Sequence, residues 1–491
     1  MPSQYRSILK ATSIFGGTQI FQMLVQLIRA KFVALLVGAA GMGLSSIYMS
    51  SLTIVITFFG MGICTSVVRD LSKANDEGDD EKFSLIINVF EKMLLVLSCL
   101  GTLFVVCTSF LFSNWTFGSN EHTVDYCFLS LIVLFSLLSQ GNNARLIGKR
   151  KIKELAICSL YSSIVTLLTS VPFFYFLRLE GVVPGLIVST IAGYIISLYY
   201  AQKVKIPKVL VNWQNIRQYG LSILSLGFTM VIASLLGNIT VYLINLFITR
   251  LGGIEDLGLF NAGMSITQNV VSLVFSAMGA DYYPRLVASL KNVSLMNETI
   301  NEQSEILVYL SAPILLIFSL FSPFIIWLLL SPEFLVLNDF VKVLCFGLFV
   351  KTISYAPGYV SFAKGDKVFY MLVEGGYANL ANLFLSVGFY YLWGLQGIAY
   401  AFVIHYLLYY AIINLLVKYR YHYNISIQTI RASFIGSTSL FVLLVLSLLM
   451  EGISFYLIAG IVVAVSSYYN IKKLNEKTAI FSYIKEKYNG N

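Results

Sequence analysis

Apolar stretches of about 20 residues recur along the whole chain, separated by short polar segments. In hydrocarbon a backbone must satisfy its own hydrogen bonds, so such stretches are either helices or strands of a closed barrel. These are continuous, whereas barrel strands are shorter and alternate in polarity, so the pattern predicts helices. Six spans fall near 12–37, 44–67, 85–112, 124–143, 154–177 and 182–201, and six more near 219–248, 257–281, 304–329, 339–362, 369–392 and 397–417. Two shorter ones lie near 432–450 and 454–470. The expected fold is an all-α polytopic membrane protein of about fourteen transmembrane helices. The first stretch is too long for a cleaved leader and no small-residue cleavage site follows it, so it reads as a retained span.

Composition agrees with that reading. Of 491 residues, 57% are hydrophobic and 12% charged, and the mean hydropathy is +0.79, which excludes a water-soluble domain. The six cysteines lie inside apolar stretches without CxxC spacing or a nearby His, so neither disulfide framework nor metal site is implied, and no cofactor is expected. They read as small apolar packing residues.

Lys and Arg in short loops stay on the cytoplasmic side. With the amino terminus inside, 26 of them fall in cytoplasmic segments, and only Arg178 and Arg250 fall on the other side. Both termini are therefore expected in the cytoplasm. The net charge of +9 then follows from topology and attraction to anionic lipid headgroups, with no nucleic acid needed.

The chain also repeats itself. Arg69 precedes Arg285 by 216 residues, Gly181 precedes Gly397 by the same interval, and GMGLSSIYMS at Gly41 pairs with DLGLFNAGMS at Asp256 at an interval of 215. Six spans per repeat is an even number, so the halves share one orientation. They should form two six-helix bundles related by a pseudo-two-fold axis along the membrane normal, with a cavity between them. The expected domains are residues 1–210, residues 211–425, and residues 426–491 for the two additional helices and a cytoplasmic tail.

Helical periodicity shows what could line such a cavity. Gln19, Gln22, Gln26 and Arg29 form one polar stripe, and Asn238, Tyr242, Asn245 and Thr249 form another at the repeat-related place. A third stripe runs through Asn261, Ser265, Gln268 and Ser272. A charge at the bilayer centre costs roughly 2.5 to 3.5 kcal/mol even on lenient scales, so charges inside spans carry functional weight. Arg29 and Lys351 are the cationic candidates for binding an anionic substrate. Pairing of Arg29 with a carboxylate such as Glu374 is the alternative reading. Glu374, Asp281 and Glu91 are candidates for proton or cation coupling, because an acid in an apolar cavity can change protonation with access. Simple ion pairing explains Glu91 beside Lys92, and Asp281 one turn before Arg285, equally well. Arg145 and Lys364 sit nearest the membrane in two basic clusters at corresponding mouths of the halves; topogenic signalling explains most of these charges, and the two nearest would also meet an anionic substrate entering from the cytoplasm. His122 and His422 stand at loop or boundary positions without partners, and His405 lies alone in its span. Pro172, Pro184, Pro313 and Pro357 fall in or at the ends of spans and kink them, which suits either bending during transport or irregular packing.

Three segments carry a family resemblance: GTQIFQMLVQLIRAKFVALLVGAAGMGL, IEDLGLFNAGMSITQNVVSLVFSAMGADYYPRLVASL, and IIWLLLSPEFLVLNDFVKVLCFGLFVKTISYAPGYVSFAKGDKVFYMLVEG. The chain resembles the Wzx-type flippases of the multidrug/oligosaccharidyl-lipid/polysaccharide exporter superfamily, most of all the O-antigen and lipid III translocase branch. That resemblance implies a non-enzymatic protein of the bacterial inner membrane that moves an undecaprenyl-pyrophosphate-linked oligosaccharide between leaflets through a cationic cavity. Membrane lipids, a proton or sodium ion, and polysaccharide polymerase or assembly proteins are the implied partners. Arg29 matches the basic position of the first helix, and Arg285 matches the element ending span eight. Two departures stand out: the branch stops near twelve spans, and the Arg-Asp pair that lipid II flippases carry in helix one reads Arg29 and Ala30 here. A drug or cation antiporter of the related class is the rival transporter. A polysaccharide polymerase or ligase is the rival enzyme, which the short outer loops disfavour.

Overall fold

A computed structural model describes residues 2–204, 206–207, 209, 212 and 215–478. Lys205, Lys208, Lys485 and Lys487 of the cytoplasmic tally, the tail from 479, and the expected domain boundary at 210 lie outside the described residues. All regular structure among the described residues is helical. In order, the helices are α1 (Pro2–Leu36), α2 (Gly38–Gly60), α3 (Ile63–Glu77), α4 (Asp80–Phe117), α5 (Thr123–Gly148), α6 (Ile152–Leu177) and α7 (Val182–Gln202). They continue with α8 (Leu221–Ser289), α9 (Val293–Leu320), α10 (Ser322–Leu329), α11 (Asn338–Ala363), α12 (Lys367–Tyr370), α13 (Ala378–Tyr421), α14 (Ile427–Leu449) and α15 (Gly452–Thr478).

Among the described residues ten helical segments are long and apolar enough to cross a membrane, and three of them, Ile152–Gln202, Val231–Ser272 and Lys367–Tyr421, hold two expected spans each. The breaks inside α8 and α13 sit at Gly253 (φ 89°) and Gly394 (φ 57°). Both are left-handed positions that a residue with a Cβ avoids, so glycine lets the chain reverse there. Polar side chains set several starts. Asp79 accepts from the Lys82 amide at 2.9 Å, Asn292 accepts from the amides of Ser294 and Leu295, and Ser426 accepts from the Thr429 amide at 3.0 Å. Each satisfies a donor that the first helical turn leaves unpaired.

The chain divides into two compact units, residues 1–261 and 262–491. The core of the first gathers Tyr48, Leu52, Phe83, Phe90, Tyr126 and Val133 from α2, α4 and α5. The core of the second gathers Tyr282, Leu307, Val360, Ile413 and Tyr423. Helix α9 is the pillar of that unit: 78% of its apolar window is buried, against 39% or less for the other candidate spans. It is flanked by α11, α14 and α15. Ile453, Leu457, Ile461 and Val465, at four-residue intervals on α15, are all exposed. Such an apolar stripe is what a lipid-facing helix presents.

Candidate functional site

The stripe Gln22, Gln26 and Arg29 of α1 lines a cavity of about 530 Å³ whose other walls come from α2, α5, α6 and α7. Those walls are made of small polar side chains, among them Gln140, Asn143, Ser162, Ser163, Ser189 and Thr190. Small residues let membrane helices approach closely. Their hydroxyls are satisfied locally: Ser163 Oγ donates to the Leu160 carbonyl at 2.8 Å, Ser189 Oγ to the Leu186 carbonyl at 3.0 Å, and Thr190 Oγ1 to that same carbonyl at 2.8 Å. Arg29 supplies the single charge on these walls. Among the described residues of its unit, its guanidinium makes no hydrogen bond or ion pair.

A second cavity, of about 320 Å³, lies within the other unit. Glu374 enters it from the π-helical turn Met371–Tyr377 that joins α12 to α13. Such a turn widens the helix and is a frequent mark of functional positions. The Tyr409 hydroxyl donates to Glu374 Oε1. A Cβ at Gly358 would come within 2.9 Å of that hydroxyl, so the glycine makes room for the pair. Lys351 points into the same space, its Nζ 5.5 Å from the centre of the Tyr406 ring, and His405 lines it too. Tyr355 and Tyr359 share a hydroxyl contact of 3.0 Å at its edge. The cavity thus brings together Lys351 and Glu374, both expected as functional, with His405, whose isolation in sequence hid it.

The remaining candidates have local partners. Arg145 meets Glu91 at 3.2 Å and also donates to the Val204 carbonyl, at the wall of a third cavity of about 540 Å³. Glu91 therefore faces Arg145 on a neighbouring helix, whereas Lys92 beside it in sequence points away, since adjacent helical residues do not face each other. Asp281 and Arg285 pair at 2.8 Å, as their spacing suggests, and Arg285 also donates to Gln303 Oε1 at 2.7 Å. Lys364 lies 5.2 Å from the centre of the Tyr421 ring. Asn245 is 1% exposed and accepts from Asn261 at 3.3 Å. Its stripe neighbours tie the first half of α8 to α2 and α4: Asn238 donates to Thr57 at 2.8 Å, and Tyr242 meets Thr116 at 3.0 Å.

His122 corrects an expectation. Its Nδ1 lies 2.8 Å from Asp125 Oδ2 and 2.9 Å from the Tyr48 hydroxyl, which itself donates to Asp125. Asp125 lies only three residues on, a spacing that brings the two side chains together, whereas Tyr48 comes from another helix and was invisible in sequence. No group of His, Cys, Asp or Glu that could hold a metal ion exists among the described residues.

Comparison with known proteins places this architecture. The family model described as "Polysaccharide biosynthesis protein" matches residues 8–290. The lipid III flippases of Escherichia coli (strain K12) and Shigella flexneri are each 21% identical over 427 residues, covering 83% of this chain and 97% of theirs. The inward closed conformation of the lipid II flippase MurJ superimposes with a TM-score of 0.67 at 15% identity, covering 94% of this chain and 98% of that one. An inward-facing multidrug resistance MATE family transporter gives 0.65 at 16% identity, covering 82% and 94%. The fold is shared with structures of a lipid II flippase and of a multidrug transporter, and the family match spans more than half of the sequence, so the chain belongs to the polysaccharide biosynthesis protein family.

Proposed function

We propose that this multi-pass membrane protein is a flippase. Its cargo would be an undecaprenyl-pyrophosphate-linked oligosaccharide of the O-antigen repeat-unit type, carried from the cytoplasmic to the periplasmic leaflet of the bacterial inner membrane by alternating access. Both termini then lie in the cytoplasm, and residues 1–210 and 211–425 act as the two moving lobes. The observation that carries this reading is Arg29: a cation without a partner among the described residues of its unit, on the wall of a polar cavity inside a membrane helix bundle. A guanidinium in surroundings of low dielectric attracts a phosphate oxyanion far more strongly than it would in water. Arg145, Arg285, Lys364 and Lys351 serve the same anion along its route. The first two would exchange Glu91 and Asp281 for phosphate as it passes.

Glu374 is the coupling group in this reading. Its contact with Tyr409 is broken and remade as a proton or sodium ion arrives, and Lys351 and His405 lie close enough to sense the change. The flippase relatives favour a lipid-linked cargo. A multidrug antiporter would instead carry an organic cation, and a cavity whose walls hold an arginine and no carboxylate is poorly suited to one.

Proteoliposomes loaded with fluorescent undecaprenyl-pyrophosphate oligosaccharide test the proposal. The wild type should move the lipid between leaflets, Arg29→Ala should lose at least tenfold in rate, and Arg29→Lys should keep most of it. Absence of transport by the wild type, with efflux of organic cations instead, would overturn the reading.

A further inference from the structure

The two cavities described above occupy equivalent places in the repeat. Cys158 and Glu374 are 216 residues apart, and the same interval joins Ser189 to His405, Thr190 to Tyr406, Gly193 to Tyr409, Asn143 to Tyr359 and Ser162 to Ala378. The first member of each couple lines the cavity of residues 1–261, and the second lines that of residues 262–491. One ancestral pocket has therefore diverged twice. In the second unit five tyrosines, a histidine and a glutamate line it and leave about 320 Å³. In the first, glycine, hydroxyl and amide side chains leave about 530 Å³.

We propose that the cavity of the first unit is a sugar subsite, built to hold uncharged sugar residues next to the phosphate taken by Arg29; this rests on the flippase reading above. Its chemistry argues for that ligand. Ser163, Ser189 and Thr190 each spend their hydroxyl proton on a carbonyl of their own helix. Their oxygen lone pairs are left to accept from a ligand. Gln140 and Asn143 add amides that both donate and accept, and the buried Oδ1 of Asn143 has no hydrogen-bond partner. A buried amide oxygen left without a donor costs about 1 to 3 kcal/mol, which a turn of the Asn143 side chain toward a ligand hydroxyl would recover. The walls offer no carboxylate to pair with a cation and no cation besides Arg29. A ligand rich in hydroxyls, with one anionic end, matches this surface. A carboxylate on the first sugar would find no second cation and would be desolvated without compensation.

Gly193 gives the test its handle. A Cβ built there meets only the Thr166 hydroxyl, at 3.9 Å, so a side chain at this position enters the cavity without striking backbone. Its counterpart in the repeat is Tyr409, which shows that a tyrosine is accommodated at the equivalent place of the fold. Full-length Gly193→Tyr and Thr190→Tyr in nanodiscs should bind undecaprenyl pyrophosphate bearing uncharged hexoses at least tenfold more weakly than the wild type. Their affinity for sugar-free undecaprenyl pyrophosphate should change less than twofold. Asn143→Leu with Gln140→Leu keeps the cavity open while removing its amides, and should reproduce the selective loss if the tyrosine variants fail to insert. In the wild type, replacing the first hexose by a uronic acid should weaken binding at least tenfold. Equal losses for the glycosylated and bare lipids, unchanged binding of the glycosylated lipid by all variants, or full tolerance of the uronic acid would each overturn the assignment. A wild type that binds neither lipid would sink the flippase reading itself.

Discussion

Gly43 and Gly258 make a reciprocal contact. A Cβ on Gly43 would lie 2.1 Å from the carbonyl oxygen of Ile254, and a Cβ on Gly258 would lie 1.8 Å from that of Ala39. Gly43 and Gly258 are 215 residues apart, and so are Ala39 and Ile254, so each half of the contact is the image of the other. The contact therefore joins α2 to the turn after Gly253 through two copies of one approach. Packing of this kind depends on bare backbones, because apolar side chains gain little by leaving lipid for one another.

Alanine at either glycine should therefore be costly. Gly43→Ala and Gly258→Ala would force a methyl group into a carbonyl oxygen, and overpacking of this sort costs about 1 to 3 kcal/mol. Gly193→Ala, where the same methyl touches only the Thr166 hydroxyl at 3.9 Å, should change stability by less than about 0.5 kcal/mol. Thermal unfolding of the purified protein in detergent would show the contrast. Equal melting temperatures for all three variants would refute the close crossing.

The order of helices was legible because apolar length alone marks a span, and the turns at Gly181, Gly253 and Gly394 fall between expected spans. The stripe of Gln22, Gln26 and Arg29 was legible too, since spacings of four and three on one helix put side chains on one face. The hydroxyl wall opposite was not, because its members are scattered over α5, α6 and α7, and Ser and Thr are common packing residues in membrane helices. Glu374 stood out as a carboxylate without a basic neighbour. Its partner Tyr409 lies 35 residues on, beyond the break at Gly394, and no spacing rule links the two. The partner of Glu91 was missed for the same reason, Arg145 of a neighbouring helix displacing the sequence neighbour Lys92, and so was the Tyr48 half of the His122 contact.

The last two helices are fastened to α9 by a buried polar cluster. Asn301 Oδ1 accepts from the Tyr423 hydroxyl at 3.1 Å, the Ser426 amide at 2.8 Å and the Thr429 hydroxyl at 3.0 Å. One turn along, the nearly inaccessible Glu305 meets Lys477 of α15 at 2.6 Å. Asn301→Leu would strand the Tyr423 hydroxyl and the Ser426 amide, while the Thr429 hydroxyl keeps Glu305 Oε1 at 3.2 Å. The expected cost is about 1 to 3 kcal/mol for each that finds no water. Limited proteolysis should then cut near Tyr423 and release the segment from Ile427 onward, while the wild type resists. An Asn301→Leu protein as resistant as the wild type would show that apolar packing alone holds α14 and α15.

Asp366, in the loop between α11 and α12, offers a pH signature. It accepts from Arg420 Nε at 2.7 Å and from the Tyr421 hydroxyl at 2.8 Å. The hydrogen bond from Arg420, and after it that from Tyr421, holds its carboxyl below the usual aspartate range. A carboxyl lowered in the folded state stabilises the fold above its unfolded value, near 3.9, and loses that contribution as pH falls through the folded value. The difference in melting temperature between wild type and Asp366→Asn should accordingly be constant from pH 8 to 5 and shrink below pH 4. A difference that instead vanished near pH 6 would assign the effect to another group.

Glu374 and Tyr409 permit a test of coupling that does not depend on identifying the glycan. Glu374→Gln keeps the shape of the side chain and its place beside Tyr409, but it can neither bind nor release a proton and has no charge for a cation. If the carboxylate couples transport to an ion gradient, Glu374→Gln proteoliposomes should still equilibrate lipid-linked oligosaccharide between leaflets. They should lose at least tenfold of the acceleration that an imposed proton or sodium gradient gives the wild type. Tyr409→Phe removes only the hydroxyl donor. It should weaken the acceleration without abolishing it, because the carboxylate keeps its charge but loses a fixed partner. Unaltered acceleration in Glu374→Gln would remove Glu374 from the coupling path and leave the narrowed cavity a structural role.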